Sequence, residues 1–193
     1  DPIPKHEETE TKDLQLIYAS TPQRGLDVLV NSLNLIDRSD FHLHIFSSYK
    51  LYGWEKNDEP YKPLFEMCEK DPRVTYYGAV PYDELREHWK NMHILAYPST
   101  WLETSCRVAM EAMSAHCAVV TSNWGALPET CGEYAYMYNY TENKSKHAER
   151  FADALEDVMD SYWTKDVQTN LDSALEYSHK HYSWDKRINQ WID

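Results

Sequence analysis

Two glutamates and one arginine offer the clearest chemistry in this sequence. Glu103 and Glu111 stand in the stretch 98–130, PSTWLETSCRVAMEAMSAHCAVVTSNWGALPET, and Arg24 stands directly before Gly25 in STPQRGLDVLV. The two carboxylates are eight residues apart, about 12 Å along a helix at 1.5 Å per residue. That is too far for an acid and a base working across one glycosidic bond. It suits two carboxylates holding opposite ends of one extended ligand, each accepting hydrogen bonds from paired hydroxyls, as on a sugar and a ribose. The residues between them read as the start of a helix, with Thr104 or Ser105 as N-cap and His116 near the end. The free N–H groups and positive dipole end of such a helix favour an anion such as a diphosphate.

Those residues must be positioned by the elements around them. Apolar runs of strand period fall at 13–19, 41–47, 73–78, 92–98, 117–122 and 133–138. Helical periodicity falls at 25–36, 61–70, 82–91 and 104–116, and a charged helical region runs from about 144 to 192. Six short strands alternating with helices predict an α/β domain, a doubly wound, Rossmann-like parallel sheet with C-terminal helices. Ligands of such sheets sit outside the carboxyl ends of the strands. The loops 20–25, 48–60, 78–82, 98–105 and 123–127 are therefore the ones to watch. The loop 48–60, SSYKLYGWEKNDE, is aromatic and suits either a contact or a solvated excursion. Residues 1–12, DPIPKHEETETK, read as a linker, leaving 13–193 as one domain.

A net charge of −13 argues against nucleic acid as partner, because phosphate backbones need clustered Lys and Arg. It leaves room for a small anionic ligand met by one cation and backbone N–H groups. Cys68, Cys106, Cys117 and Cys131 have no metal-ligand spacing and read as free thiols of a reducing compartment. No apolar run approaches membrane length, so the expected setting is cytoplasmic, with peripheral membrane association left open.

The combination of E-x7-E (Glu103, Glu111), then A-M and a buried strand, then S-N-x-G-x-L-P-E, resembles the C-terminal domain of retaining two-domain (GT-B) glycosyltransferases of the family 4 type. STPQRGLDVLVNSLNLI at 20–36, RVTYYGAVPYDELREHWKNMHILAYPS at 73–99 and YSWDKRINQWI at 182–192 resemble further segments of that domain in the same order. The resemblance implies a nucleoside-diphosphate-sugar donor, UDP- or GDP-linked, and a separate N-terminal domain holding the acceptor. Glu111 would then bind the ribose and Glu103 the donor sugar. The N–H groups of Thr104, Ser105, Cys106 and Arg107 would meet sugar and phosphates. Arg24, beside Gly25, would pair with the diphosphate and steady the leaving group. Gly78, Ala79 and Val80 would border the base. Glu103 and Arg24 become the expected catalytic residues, with no metal and no other cofactor. Many relatives carry glycines in the loop that reads ETSC here, and a first cation where Ser20 stands; these departures bear on the sugar pose.

Blander readings exist for each residue. Glu111 could be a surface helix residue, Glu103 a partner of the helix dipole, and Arg24 a solvated loop charge. Gly125 suits a turn, and Pro128 with Glu129 a helix start. His42 with His44, and His179 with His181, lack a third ligand at metal spacing. The competing functional reading is a degenerate, non-catalytic module. A receiver-type domain is disfavoured because no acidic cluster follows the first strand.

Overall fold

A computed structural model describes residues 13–184 and 188. The linker expected at 1–12 and most of the closing helix expected at 182–192 lie outside the described residues. Six parallel strands form one sheet: β1 Leu14–Ala19, β2 Phe41–Phe46, β3 Val74–Tyr76, β4 Ile94–Tyr97, β5 Ala118–Ser122 and β6 Tyr136–Tyr138. Their order is β3-β2-β1-β4-β5-β6. Leu16 pairs with Leu43 on one side and with Ile94 on the other, which fixes β1 at the centre. The central strands are apolar on both faces, β4 and β5 being buried throughout, as a sheet covered on both sides requires.

The helices are α1 Leu26–Leu33, α2 Lys62–Lys70, α3 Tyr82–Trp89, α4 Arg107–Ser114, α5 Leu127–Cys131, α6 Lys144–Ser161 and α7 Lys165–Tyr182. The chain winds from β1 to β3 in one direction, then crosses back over β1 to β4 and winds in the other. Right-handed crossovers place the helices of the two halves on opposite faces. Accordingly α1 packs on α2 and α6, while α4 packs on α5 and α7. α6 buries Ala148, Phe151, Ala152, Leu155 and Met159, a stripe of helical spacing.

Two expectations need correction. α4 begins at Arg107 with Cys106 as N-cap, so neither Thr104 nor Ser105 caps it. It ends at Ser114, because His116 adopts φ 64°, a left-handed conformation that stops a helix. The charged helical region expected from about 144 is two helices, α6 and α7. Thr164 turns the chain and caps α7 by accepting from the Val167 N–H. The loop after β2 carries two 3₁₀ turns, Tyr49–Tyr52 and Glu55–Tyr61, with Ser48 Oγ donating to Asp58 across the excursion.

The crossover back over β1 makes two glycines indispensable. Gly25 (φ 117°) begins α1, and a Cβ there would lie 2.1 Å from the carbonyl oxygen of Pro98. Gly125 (φ 64°), after β5, would place a Cβ 2.6 Å from the backbone nitrogen of Glu103. Left-handed strain alone costs about 1–2 kcal/mol per residue. With backbone overlap added, Gly25→Ala and Gly125→Ala are each expected to destabilise by about 3 kcal/mol or more. Urea unfolding midpoints check this; a loss under about 1 kcal/mol would mean that the loops do not touch as described.

Candidate active site at the carboxyl edge of the sheet

The strand order reverses between β1 and β4, and side chains from the loops after these two strands meet there. Arg24 follows β1 and Glu103 follows β4. Arg24 Nη1 donates to Glu103 Oε1 at 2.7 Å, and the Tyr97 hydroxyl donates to the same oxygen at 2.6 Å. Glu103 is only 5% exposed. Tyr97 is fully buried at the end of β4. Burial pushes the Tyr97 phenol well above its usual range, helped by Cys106 and Glu103, so it stays protonated and donates. Burial works against the charge of Arg24, but Glu103 and Tyr97 outweigh it and hold the guanidinium above its usual range. The Arg24 guanidinium also lies 5.5 Å from the ring centroid of Trp101.

Backbone contacts lock the same loops. Thr100 Oγ1 donates to the Gln23 carbonyl, and the Ala126 N–H donates to the Glu103 carbonyl. The glycine of S-N-x-G thus exists to let the loop after β5 lie against Glu103.

Thr104 and Ser105 are exposed bends leading into α4, and no side chain caps that helix. No side-chain oxygen therefore caps its first-turn N–H groups. Glu111 lies one turn further along α4 than Arg107, with its side chain 12% exposed. It sits outside the apolar core cluster, in a polar corner. The Tyr82 hydroxyl donates to Glu111 Oε1 at 3.1 Å, and Arg107 Nε stands 3.3 Å from the same oxygen. Burial raises the Glu111 carboxyl above its usual value, only partly offset by Arg107 and Tyr82. Gly78, Ala79 and Val80 form the half-buried loop between β3 and α3.

The site residues expected from the sequence thus gather at one edge of the sheet. Ser20, Arg24, Gly25 and Glu103 stand at the reversal point; Thr104, Ser105, Cys106, Arg107 and Glu111 stand along the start of α4. Tyr97 and Tyr82, which hold the two glutamates, are not marked by the sequence pattern. Tyr97 had one signal, its place at a strand end directly before Pro98. The four cysteines are free and buried, and burial pushes Cys68, Cys106 and Cys131 up to about 12, far from thiolate chemistry. Among the described residues no group of three or more His, Cys, Asp or Glu is placed to hold a metal ion. His42 bonds to Thr75, and His44 bonds to Gln15 and Tyr77. No described helix is long and apolar enough to cross a membrane.

With this geometry in place, residues 3–174 match the family described as glycosyl transferases group 1. The chain belongs to that family. It is 28% identical over 137 residues to spore coat protein SA of Bacillus subtilis, covering 68% of this chain and 36% of that protein. A crystal structure of the Anabaena protein Alr3699/HepE, in complex with UDP and glucose, superposes with a TM-score of 0.74 at 19% identity, covering 94% of this chain and 47% of that one. The C-terminal domain of a group 1 glycosyl transferase (LpcC) from Francisella tularensis superposes with a TM-score of 0.65 at 15% identity, covering 94% and 97%. The chain spans between 36 and 42% of the length of the curated relatives it matches.

A carboxyl group whose pKa is raised by folding stabilises the fold below its unfolded value and loses that contribution as pH rises through the folded value. At neutral pH Glu111 therefore burdens the fold. Glu111→Gln, which keeps the shape and removes the charge, is expected to raise Tm at pH 7 by about 1–4 °C. The gain should shrink as pH falls toward 4. Calorimetry at both pH values checks this, and a lowered Tm at pH 7 would show that the ion pair with Arg107 outweighs burial.

Proposed function

We propose that this chain is the donor-binding half of a two-domain, retaining glycosyltransferase of the family 4 type, taking a UDP- or GDP-linked sugar. The observation that carries this reading is the meeting of Arg24 and Glu103 at the reversal point, beside the start of α4, which no side chain caps, with Glu111 further along the same helix. The pyrophosphate would lie against the N–H groups of residues 104–107 and draw on Arg24. Glu111 would accept from the ribose hydroxyls, and the loop 78–80 would border the base. As the glycosidic bond breaks, negative charge grows on the departing diphosphate, and Arg24 with the helix terminus would stabilise it without reorganisation. These groups could offset the diphosphate charge without a metal. The UDP and glucose of the Anabaena structure support a nucleotide-sugar ligand for a domain of this shape. The acceptor would be held by a separate N-terminal domain, so this chain alone should bind donor and transfer little or nothing.

One observation favours a second reading. The Glu103 carboxylate is buried and occupied by Arg24 and Tyr97, as in a structural ion pair. A non-catalytic module that keeps the fold as a binding or scaffold surface would show the same. Transfer or donor hydrolysis by a polypeptide joining this chain to an N-terminal half would exclude that alternative.

Titration calorimetry with UDP and GDP is expected to show binding with a Kd of about 1 mM or tighter, roughly −4 kcal/mol. No binding by any nucleoside diphosphate at millimolar concentration would end the donor reading. Glu111→Ala should weaken binding about tenfold or more, about 1.4 kcal/mol, and more than Glu103→Ala does. Arg24→Ala should weaken diphosphates more than the corresponding nucleosides; equal losses would remove its phosphate role.

A further inference from the structure

Tyr82 opens α3, directly after the loop 78–81, and its ring is 47% exposed. A tyrosine half in solvent at a helix start has no packing reason to be there. What it does have is a bond across 29 residues of sequence, its hydroxyl donating to Glu111 Oε1. Arg107, with a side chain 80% exposed, holds its guanidinium carbon 5.7 Å from the centroid of that ring and approaches the same oxygen. A hydrogen bond from the hydroxyl and the charge of the guanidinium thus converge on one oxygen of one carboxylate. Among the described residues nothing donates to Oε2. A carboxylate has about four lone-pair positions over its two oxygens. The Tyr82 hydroxyl orients the carboxylate through Oε1, and lone pairs on both oxygens remain for the two hydroxyls of a diol.

We infer that Tyr82 is a positioning residue for Glu111, fixing its carboxylate so that the site selects nucleotides with an intact ribose diol over their 2′-deoxy counterparts. The inference rests on the donor-binding reading and deepens it. Free rotation of Glu111 would let either oxygen meet a single hydroxyl, and the advantage of the diol would fall. Geometry set by a neighbouring hydroxyl is the usual way in which a ligating carboxylate is tuned to its partner.

The test compares UDP with 2′-deoxy-UDP, and GDP with 2′-deoxy-GDP, by titration calorimetry on the chain and on its Tyr82→Phe variant. The unsubstituted chain is expected to prefer the ribonucleotide about tenfold, the worth of a hydrogen bond to a charged group. Tyr82→Phe should cut that preference to about threefold or less while leaving 2′-deoxynucleotide affinity unchanged. In a Glu111→Ala background the same change should have no further effect, because its route runs through Glu111. Equal weakening toward both sugars, an unchanged preference, or a full additional loss in the Glu111→Ala background would overturn the assignment. Failure of the unsubstituted chain to bind any nucleotide is a different result and would remove the donor reading itself. Loss of one oxygen from a half-exposed ring should leave Tm within about 2 °C, which separates a positioning effect from loss of fold.

Discussion

The arrangement depends on a single buried charge. An ionised carboxylate taken out of water costs several kcal/mol unless hydrogen bonds and an opposite charge replace its hydration. Glu103 has both, from Arg24 and from Tyr97, and the two partners come from opposite sides of the strand-order reversal. The pair therefore acts as a clasp between the loop after β1 and the loop after β4. Gly25 and Gly125 follow from it, since loops drawn this close leave no room for a Cβ against Pro98 or Glu103. The start of α4 is aimed by the same clasp, only three residues separating Glu103 from the first helical residue.

The second glutamate is held differently. Glu111 has a phenol and an i−4 arginine for partners, and burial wins over them, raising its carboxyl above the usual value. A protein that needed only a stable helix here would place glutamine or leucine at this position. The burial of Glu111 is a cost to the fold that the phenol and the arginine only partly offset. Glu103 by contrast is satisfied within the chain. The two ends of E-x7-E are thus held differently: Glu103 by a buried ion pair between two loops, and Glu111 by a phenol and an exposed arginine.

Six strands, their alternation with helices and the gathering of site residues at one edge were legible in the sequence, because period-2 and period-3.6 patterns report local structure directly. The strand order was not, since pairing is a property of distant segments. The start of α4 was read three residues early because Thr104 and Ser105 have the right chemistry for a cap. In the structure the bond of Ala126 N–H to the Glu103 carbonyl and the pull of Arg24 on its side chain hold that stretch as bends instead. The break at Thr164 was hidden because no glycine or proline marks it. Tyr97 and Tyr82 were missed for a common reason: a tyrosine at a strand end or helix start reads as packing, and only three-dimensional proximity to a carboxylate reveals the hydroxyl's task.

Charge adds a further consequence. The chain carries −13 overall, yet the start of α4 is flanked by two cations, Arg24 and Arg107, each already facing a carboxylate. Those four groups sum to zero. Attraction for an anion must come first from the helix terminus, which favours a charge within its first turn by roughly 0.3–1 kcal/mol and no further. The two arginines then differ in what they can add. Arg24 is anchored by a buried partner and by Trp101, so it can share its remaining N–H groups but cannot leave. Arg107 is almost wholly in solvent, and its contact with Glu111 is loose at 3.3 Å. In the donor-binding reading an arriving diphosphate would draw on Arg107 where it stands beside Glu111, while the ribose would take the lone pairs of that carboxylate that Tyr82 leaves open. One cation would then stand between the phosphate end of the ligand and the carboxylate that receives its ribose. In that reading an acidic domain could hold an anion with few basic residues, because Arg24 and Arg107 already stand beside the start of α4, each held by its own glutamate.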